Sequence, residues 1–416
     1  MMNIRLYKLK FGLKPSQLFM VSAMVVNIGN YLYNLALGRL LGPEAFADAA
    51  ILITFLLILS FMAMTLQLSV AKFTGSFDSA KKDAFLKYSR KWSLIIGCAV
   101  GLLIFMLATP LRQWFQTDSV LMFKIFAVGV PLYFLMSVNR GYFQGEQEFV
   151  KLSITYQGEM LSRLFLTLAF ILILPFGSSE LVAIGIVVSL FPGMLPYKKI
   201  VGKALPPIES EDISHLKKFV IVTALYELTQ IIINNGDILL VKHFFDPHAA
   251  GLYSSMALIG RAVYFVAWMF VMLLLPEVVK LHKEGKDTQK LFFKYLGMIT
   301  ALTTGVVIIT FLLPELIINV LFGNEYVEIA HLLWKYALAS SLFALANVFV
   351  YYYLSLDKYL PVLLSGVFGL AQLGSIFIWH DSLATVVELQ IIIMLGLLVF
   401  QGLYFLQQKK QSAQPI

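Results

Sequence analysis

Residues 336–379 read YALASSLFALANVFVYYYLSLDKYLPVLLSGVFGLAQLGSIFIW: two uncharged runs, Tyr336 to Leu356 and Tyr359 to Trp379, parted only by Asp357 and Lys358. Each run matches the ~20 residues that an α-helix needs to cross hydrocarbon, and the two charged residues between them leave room for a turn. The same signature recurs at Pro15 to Gly38, Ala49 to Ala71, Trp92 to Leu111, Tyr295 to Pro314 and Leu389 to Gln408. Five further spans carry internal charges or less regular ends: Met122 to Asn139, Leu152 to Phe176, Glu180 to Tyr197, Phe219 to Val241 and Ala249 to Pro276. The reading is an all-α polytopic membrane protein of about twelve transmembrane helices.

Bulk composition agrees. The chain of 416 residues is 59% hydrophobic and 13% charged, against about 25% charged in soluble domains, and its mean hydropathy is +0.81. The net charge of +8 is explained by loops facing anionic lipid, which removes nucleic acid as an expected partner. Cys98 is the single cysteine, so no intrachain disulfide forms; inside an apolar run its expected role is packing. The N-terminal MMNIRLYKLKFGLKPSQ shows no cleavage signal, and the first apolar run is too long for a signal h-region, so it is expected to persist as helix 1.

Sorting basic residues by loop sets the expected orientation. Of 32 lysines and arginines, 25 fall on one side, among them Arg5 to Lys14, Lys72 to Lys91, Arg140, Lys151, Lys198 to Lys218 and Lys280 to Lys294. Only Arg39, Arg112 and Lys242 fall on the other, where snorkelling accounts for Arg39 and Lys242. The basic side is cytoplasmic, which places both termini there.

The longest polar connection, PYKKIVGKALPPIESEDISHLKK (Pro196 to Lys218), has six spans on either side. The expected division is an N-terminal six-helix lobe over 1–197, a cytoplasmic linker over 198–218 and a C-terminal lobe over 219–416. A shift of 204 residues pairs Asn30 with Asn234, Pro43 with Pro247 and Pro110 with Pro314. Two six-helix halves running the same way are related by an axis along the membrane normal, a transporter signature.

Four segments then carry a resemblance: ALGRLLGPEAFA (Ala36 to Ala47), GDILLVKHFFDPHAAGLYSS (Gly236 to Ser255), LLLPEVVK (Leu273 to Lys280) and PELIINVLFGNEY (Pro314 to Tyr326). They resemble the polysaccharide transporter branch of the multidrug/oligosaccharidyl-lipid/polysaccharide exporter superfamily, which holds the Wzx-type flippases. The resemblance implies two pseudo-symmetric six-helix lobes around a central cavity. It also implies movement of polyprenyl-diphosphate-linked glycans from the cytoplasmic to the outer leaflet, in a bacterial or archaeal cytoplasmic membrane. Twelve spans leave no room for the two extra C-terminal helices of fourteen-helix members.

Ionisable residues inside spans are costly and point to function. Arg163 lies twelve residues beyond Lys151 and Arg261 twelve beyond Ala249, each ~18 Å along its helix and near mid-bilayer. Thr223, Glu227, Gln230, Asn234 and Asp237 recur at helical spacing as one polar face, as do Asn27, Asn30 and Asn34 on the first helix. Arginine binds phosphate oxygens bidentately and stays charged, so Arg163 and Arg261 suit a diphosphate headgroup. Amides both donate and accept, so Asn27, Asn30, Asn34, Gln230 and Asn234 suit sugar hydroxyls. Uphill transport would draw on an ion gradient or the membrane potential, with Glu227, Asp237 and Glu159 as candidate carriers of a proton or sodium ion.

Plainer readings stand beside these. Glu159 and Arg163, four apart, neutralise one another; Arg261 forms a fixed interlobe bridge with Glu227 or Asp237; the asparagines of helix 1 hold the bundle together by interhelical hydrogen bonds. The six histidines are scattered, and no HExxH, CxxC, nucleophile-elbow or phosphate-loop pattern occurs, so neither enzyme activity, cofactor nor metal is expected. Three functions remain open: a flippase for lipid-linked oligosaccharide, a cation-coupled small-molecule antiporter of the same superfamily, or a non-transporting subunit anchoring a polysaccharide synthase. The expected partners are the glycan substrate, membrane lipid and glycan-assembly enzymes.

Overall fold

The computed structural model describes residues 15–77, 79–174, 177–200, 210–356 and 358–412. The basic N-terminus, Lys203 and the centre of the Pro196 to Lys218 connection lie outside them. The described chain is helical almost throughout, as it must be where no water can satisfy backbone groups. Its helices are α1 (Pro15–Ser76), α2 (Ser79–Met106), α3 (Ala108–Trp114), α4 (Leu121–Gly145), α5 (Phe149–Ile173), α6 (Ser178–Gly193), α7 (Ser210–Phe244) and α8 (Pro247–Lys283). They continue as α9 (Gln289–Leu312), α10 (Pro314–Leu321), a 3₁₀ segment (Asn324–Leu332), α11 (Leu333–Leu354), α12 (Leu360–Ile378) and α13 (Leu383–Ser412).

α1 is two spans joined at one residue. Gly42 adopts φ 72° and ψ 173°, a backbone conformation open to glycine and strained for other residues. Pro43 follows, its missing N–H falling where a new helix has none to satisfy. Counting the two arms of α1 separately and setting aside short α3, α10 and the 3₁₀ segment leaves twelve longer helices among the described residues.

The chain divides into two compact units, residues 1–41 with 48–228, and residues 42–47 with 229–416. In the first, α4 packs against α2, α6 and α5. Small residues make this close: a Cβ on Gly97 or Gly101 of α2 would lie 2.8 Å from the Pro131 Cα or 2.7 Å from the Ala127 carbonyl oxygen of α4. One helical turn apart, these glycines let backbone meet backbone where apolar burial gives no drive between helices. At its other end α4 repeats the device: Cβ atoms on Gly141 and Gly145 would each lie 2.5 Å from the carbonyl oxygens of Gln67 and Ala71 in α1.

In the second unit α11 takes the central place, against α8, α13 and α9. Aromatic rings fill the interior: Phe292 stacks on Phe405 at 4.8 Å and meets Phe349 and Tyr352 edge-on or tilted. The order of elements repeats between units. α2 leads into short α3, α9 into short α10, and the pair Pro110 and Pro314 falls in these two short helices.

Large apolar side chains lie open along the helices, Leu172 at 71% and Ile173 at 76% exposure among them. Such surface is intolerable in water and ordinary against acyl chains. Cys98 belongs to this exposed surface, so the packing role expected of it does not apply. Eight helices are long and apolar enough to cross a membrane among the described residues.

Candidate functional site

Each unit buries a charged cluster. In the first, Thr155, Glu159, Arg163 and Thr167 recur every four residues along α5, so they share one face, and all four are buried. Glu159 lies between two guanidinium groups. Its Oε2 accepts from Arg140 Nη2 at 2.8 Å and its Oε1 from Arg163 Nη1 at 3.2 Å. Arg140 is fixed further: Nε donates to Thr155 Oγ1 at 3.1 Å, Nη2 to the Thr155 carbonyl at 2.9 Å, and the guanidinium lies 3.9 Å from the Tyr156 ring centre. Arg163 reaches α1, where its Nη2 donates to Asn30 Oδ1 at 2.5 Å and the guanidinium lies 5.5 Å from the Tyr33 ring centre. Its Nε is buried without a hydrogen-bond partner.

Arg140 departs from the sequence reading, which sorted it into a cytoplasmic loop. Helix α4 continues past Asn139 to Gly145, so Arg140 stays within the packed bundle. The three asparagines of α1 part company. Asn30 joins the charged cluster; Asn34 donates to the Asn30 carbonyl of its own helix at 2.8 Å; Asn27 is exposed.

In the second unit the centre is Asp237, 1% exposed. Its Oδ2 accepts from the hydroxyls of Tyr253 and Tyr336, both at 2.8 Å, and its Oδ1 faces Arg261 Nη2 at 3.4 Å. Gln390 Nε2 donates to the Tyr253 hydroxyl at 2.5 Å. The Arg261–Asp237 bridge ties α7 to α8 inside one unit, so it is no interlobe bridge; Asp237 sits one helix back in the same half of the sequence. Beside it lies a small cleft of about 20 Å³ lined by Asn234, Arg261, Tyr264, Tyr336, Gln372 and Gln390, among others. Arg261 Nε and Gln372 Oε1 are buried without a hydrogen-bond partner. The side chains of Thr223, Glu227 and Gln230 lie outside the described residues.

Sequence reasoning missed Arg140, Tyr33, Tyr253, Tyr336, Gln372 and Gln390. For Gln372 a signal existed: it is the lone glutamine in the apolar span Tyr359 to Trp379, and such a group needs a partner inside the bundle.

Solved structures share this architecture. An inward-facing multidrug resistance MATE family transporter of the MOP superfamily is 13% identical over 93% of this chain and 96% of its own, with a TM-score of 0.75. Lipid II flippase MurJ in an inward closed conformation is 14% identical over 94% of this chain and 87% of its own, at 0.73. A MOP superfamily transporter from Pyrococcus furiosus, described as having a binding pocket of reverse polarity, is 14% identical over 96% and 95%, at 0.56. These likenesses define the class: a multi-pass membrane protein with the fold of MOP-superfamily transporters. Within it, the chain belongs to the family described as polysaccharide biosynthesis protein, matched over residues 36–331. All four segments that carried the resemblance lie in that range. No curated protein matches the sequence.

Proposed function

We propose that this protein moves a polyprenyl-diphosphate-linked oligosaccharide from the cytoplasmic to the outer leaflet. The observation that carries the reading is the charge excess of the first cluster. Arg140 and Arg163 share one carboxylate, Glu159, so a net positive charge is held among buried side chains. A buried uncompensated charge is expensive, and an anionic ligand is the natural compensation. Arg140 spends Nε and Nη2 on Thr155 and Glu159, whereas the buried Nε of Arg163 is unmatched. Arg163 is therefore the leading contact for the diphosphate, with Asn30 orienting it; Arg261 is charge-balanced by Asp237 and takes a secondary part. The polyprenyl tail stays in lipid throughout. Glu227, Asp237 and Glu159 remain the candidates for ion coupling, and glycan-assembly enzymes the candidate partners.

The test is reconstitution. Proteoliposomes loaded in one leaflet with a polyprenyl-diphosphate disaccharide should expose it to an added glycosidase faster than protein-free vesicles do. Equal rates would overturn transport and favour a non-transporting subunit. The same reading places both termini and the 198–218 connection in the cytoplasm. A Lys203→Cys variant on a Cys98→Ser background should resist an impermeant thiol reagent added to intact cells, and labelling from outside would reverse the orientation.

A further inference from the structure

We infer that Arg140 is a positioning residue for the diphosphate: it touches no substrate, and by holding Glu159 it leaves Arg163 a positive charge to offer. This deepens the diphosphate reading and rests on it. The two arginines meet their shared carboxylate unequally. Arg140 Nη2 stands 2.8 Å from Glu159 Oε2, within the range of about 2.7–2.9 Å that marks a charge-assisted hydrogen bond, whereas Arg163 Nη1 stands 3.2 Å from Oε1, outside it. Arg140 is the tight partner and Arg163 the loose one.

The surroundings of Arg140 keep it in that place. The Thr155 hydroxyl donates to the Leu152 carbonyl at 2.7 Å, so its oxygen is turned to accept from Arg140 Nε at 3.1 Å. Nη2 also reaches the Thr155 carbonyl, and the guanidinium lies 3.9 Å from the Tyr156 ring centre. That ring is itself fixed: the Tyr156 hydroxyl donates to Gln67 Oε1 of α1 at 3.1 Å, and Gln67 Nε2 donates to Gln144 Oε1 of α4 at 2.8 Å. Arg140 is 4% exposed and gripped by α5, with α1 and α4 bracing the grip, so it does not swing out to meet a headgroup. Arg163 has no such bracing among the described residues. Beyond Glu159 it meets the Asn30 amide oxygen and the Tyr33 ring, and its Nε is unmatched.

Charge gives this division of labour its consequence. With Arg140 in place the carboxylate is answered, and one positive charge is left over at Arg163. Without Arg140, Glu159 lies one turn from Arg163 on the same face of α5 and neutralises it alone. An incoming phosphate then meets a closed ion pair, and parting such a pair away from water offsets what binding gains. Removing the carboxylate as well returns the spare charge to Arg163.

The experiment measures binding of polyprenyl diphosphate, with neutral polyprenol as reference, to purified protein in nanodiscs of zwitterionic lipid. Arg140→Met should weaken diphosphate binding about tenfold or more, the worth of one charged hydrogen bond, and leave polyprenol binding unchanged. Adding Glu159→Gln to Arg140→Met should return diphosphate binding to within about threefold of wild type. A residue that serves only the fold, or one that contacts the carrier itself, gives no such rescue. A double variant as weak as Arg140→Met therefore overturns the inference, and so does wild-type affinity in Arg140→Met. Should Arg140→Met not fold, the double variant and Arg140→Lys, which keeps the charge, carry the test: both within about threefold of wild type supports the inference, and about tenfold weaker binding by either overturns it. In each of these failures the wild type still prefers the diphosphate, and the flippase reading stands. A wild type that binds diphosphate no better than polyprenol overturns that reading and the inference with it.

Discussion

The two units bury charge by opposite arrangements. In the first, two arginines share one glutamate, and Arg163 also meets the Asn30 amide oxygen and the Tyr33 ring. In the second, one arginine meets one aspartate, and two tyrosine hydroxyls complete the carboxylate. The lesson is that an intramembrane arginine is not a function in itself. What its counter-charge leaves over decides whether the site draws an anion or stands neutral and hydrogen-bonding.

The largest effect should follow Glu159→Gln. It strands two buried guanidinium groups at once, and breaking a buried pair costs about 3–5 kcal/mol. Membrane abundance and unfolding temperature should both collapse, and Arg140→Met added to Glu159→Gln should recover part of the loss. A stable Glu159→Gln single variant would mean that the first cluster is not held by charge.

Asp237→Asn should be milder, at about 2 kcal/mol. The tyrosine hydroxyls keep an oxygen to bond, and the lost partner, Arg261, was already 3.4 Å away. Unfolding curves of the two variants side by side test the ranking; a larger loss for Asp237→Asn would invert the comparison. Transport measured across pH with both Glu227→Gln and Asp237→Asn in place then asks whether these carboxylates couple an ion. An unchanged profile removes them as carriers.

The smallest effect on stability, and the sharpest on function, is expected at Arg163→Ala. Arg140 still neutralises Glu159, so the unfolding temperature should shift by no more than about 1 kcal/mol allows, while transport is lost. Arg163→Lys should recover transport only in part, because an ammonium cannot bind two phosphate oxygens in a plane. Full transport by an Arg163→Ala, Arg261→Ala double variant at normal abundance would remove both arginines from substrate binding.

The helices were legible because hydrocarbon imposes a length and a polarity on every span, and few other sequences meet both. The clusters were legible only in part. Arg163, Asn30, Asp237 and Arg261 stood out as polar residues within apolar runs. Arg140 did not, because counting basic residues near span ends cannot tell a loop from two more turns of helix. Helical spacing placed Asn27, Asn30 and Asn34 on one face, yet what each one meets depends on neighbours far away in sequence: Arg163 answers Asn30, and the backbone of α1 answers Asn34. Gly42 was read as part of a motif, whereas its backbone dihedrals show why glycine stands there.

The glycine contacts along α4 carry a mechanical consequence. Gly97 and Gly101 seat α2 on one stretch of this helix, and its own Gly141 and Gly145 seat it on α1 at another. Backbones this close cannot slide past one another without first separating, and close-packed interiors resist that. The second arm of α1, α2 and α4 therefore form a stiff strut through the first unit. Arg140 extends the strut to α5 through Thr155 and Glu159, so a rearrangement that parts these helices has to break buried hydrogen bonds as well as backbone contacts.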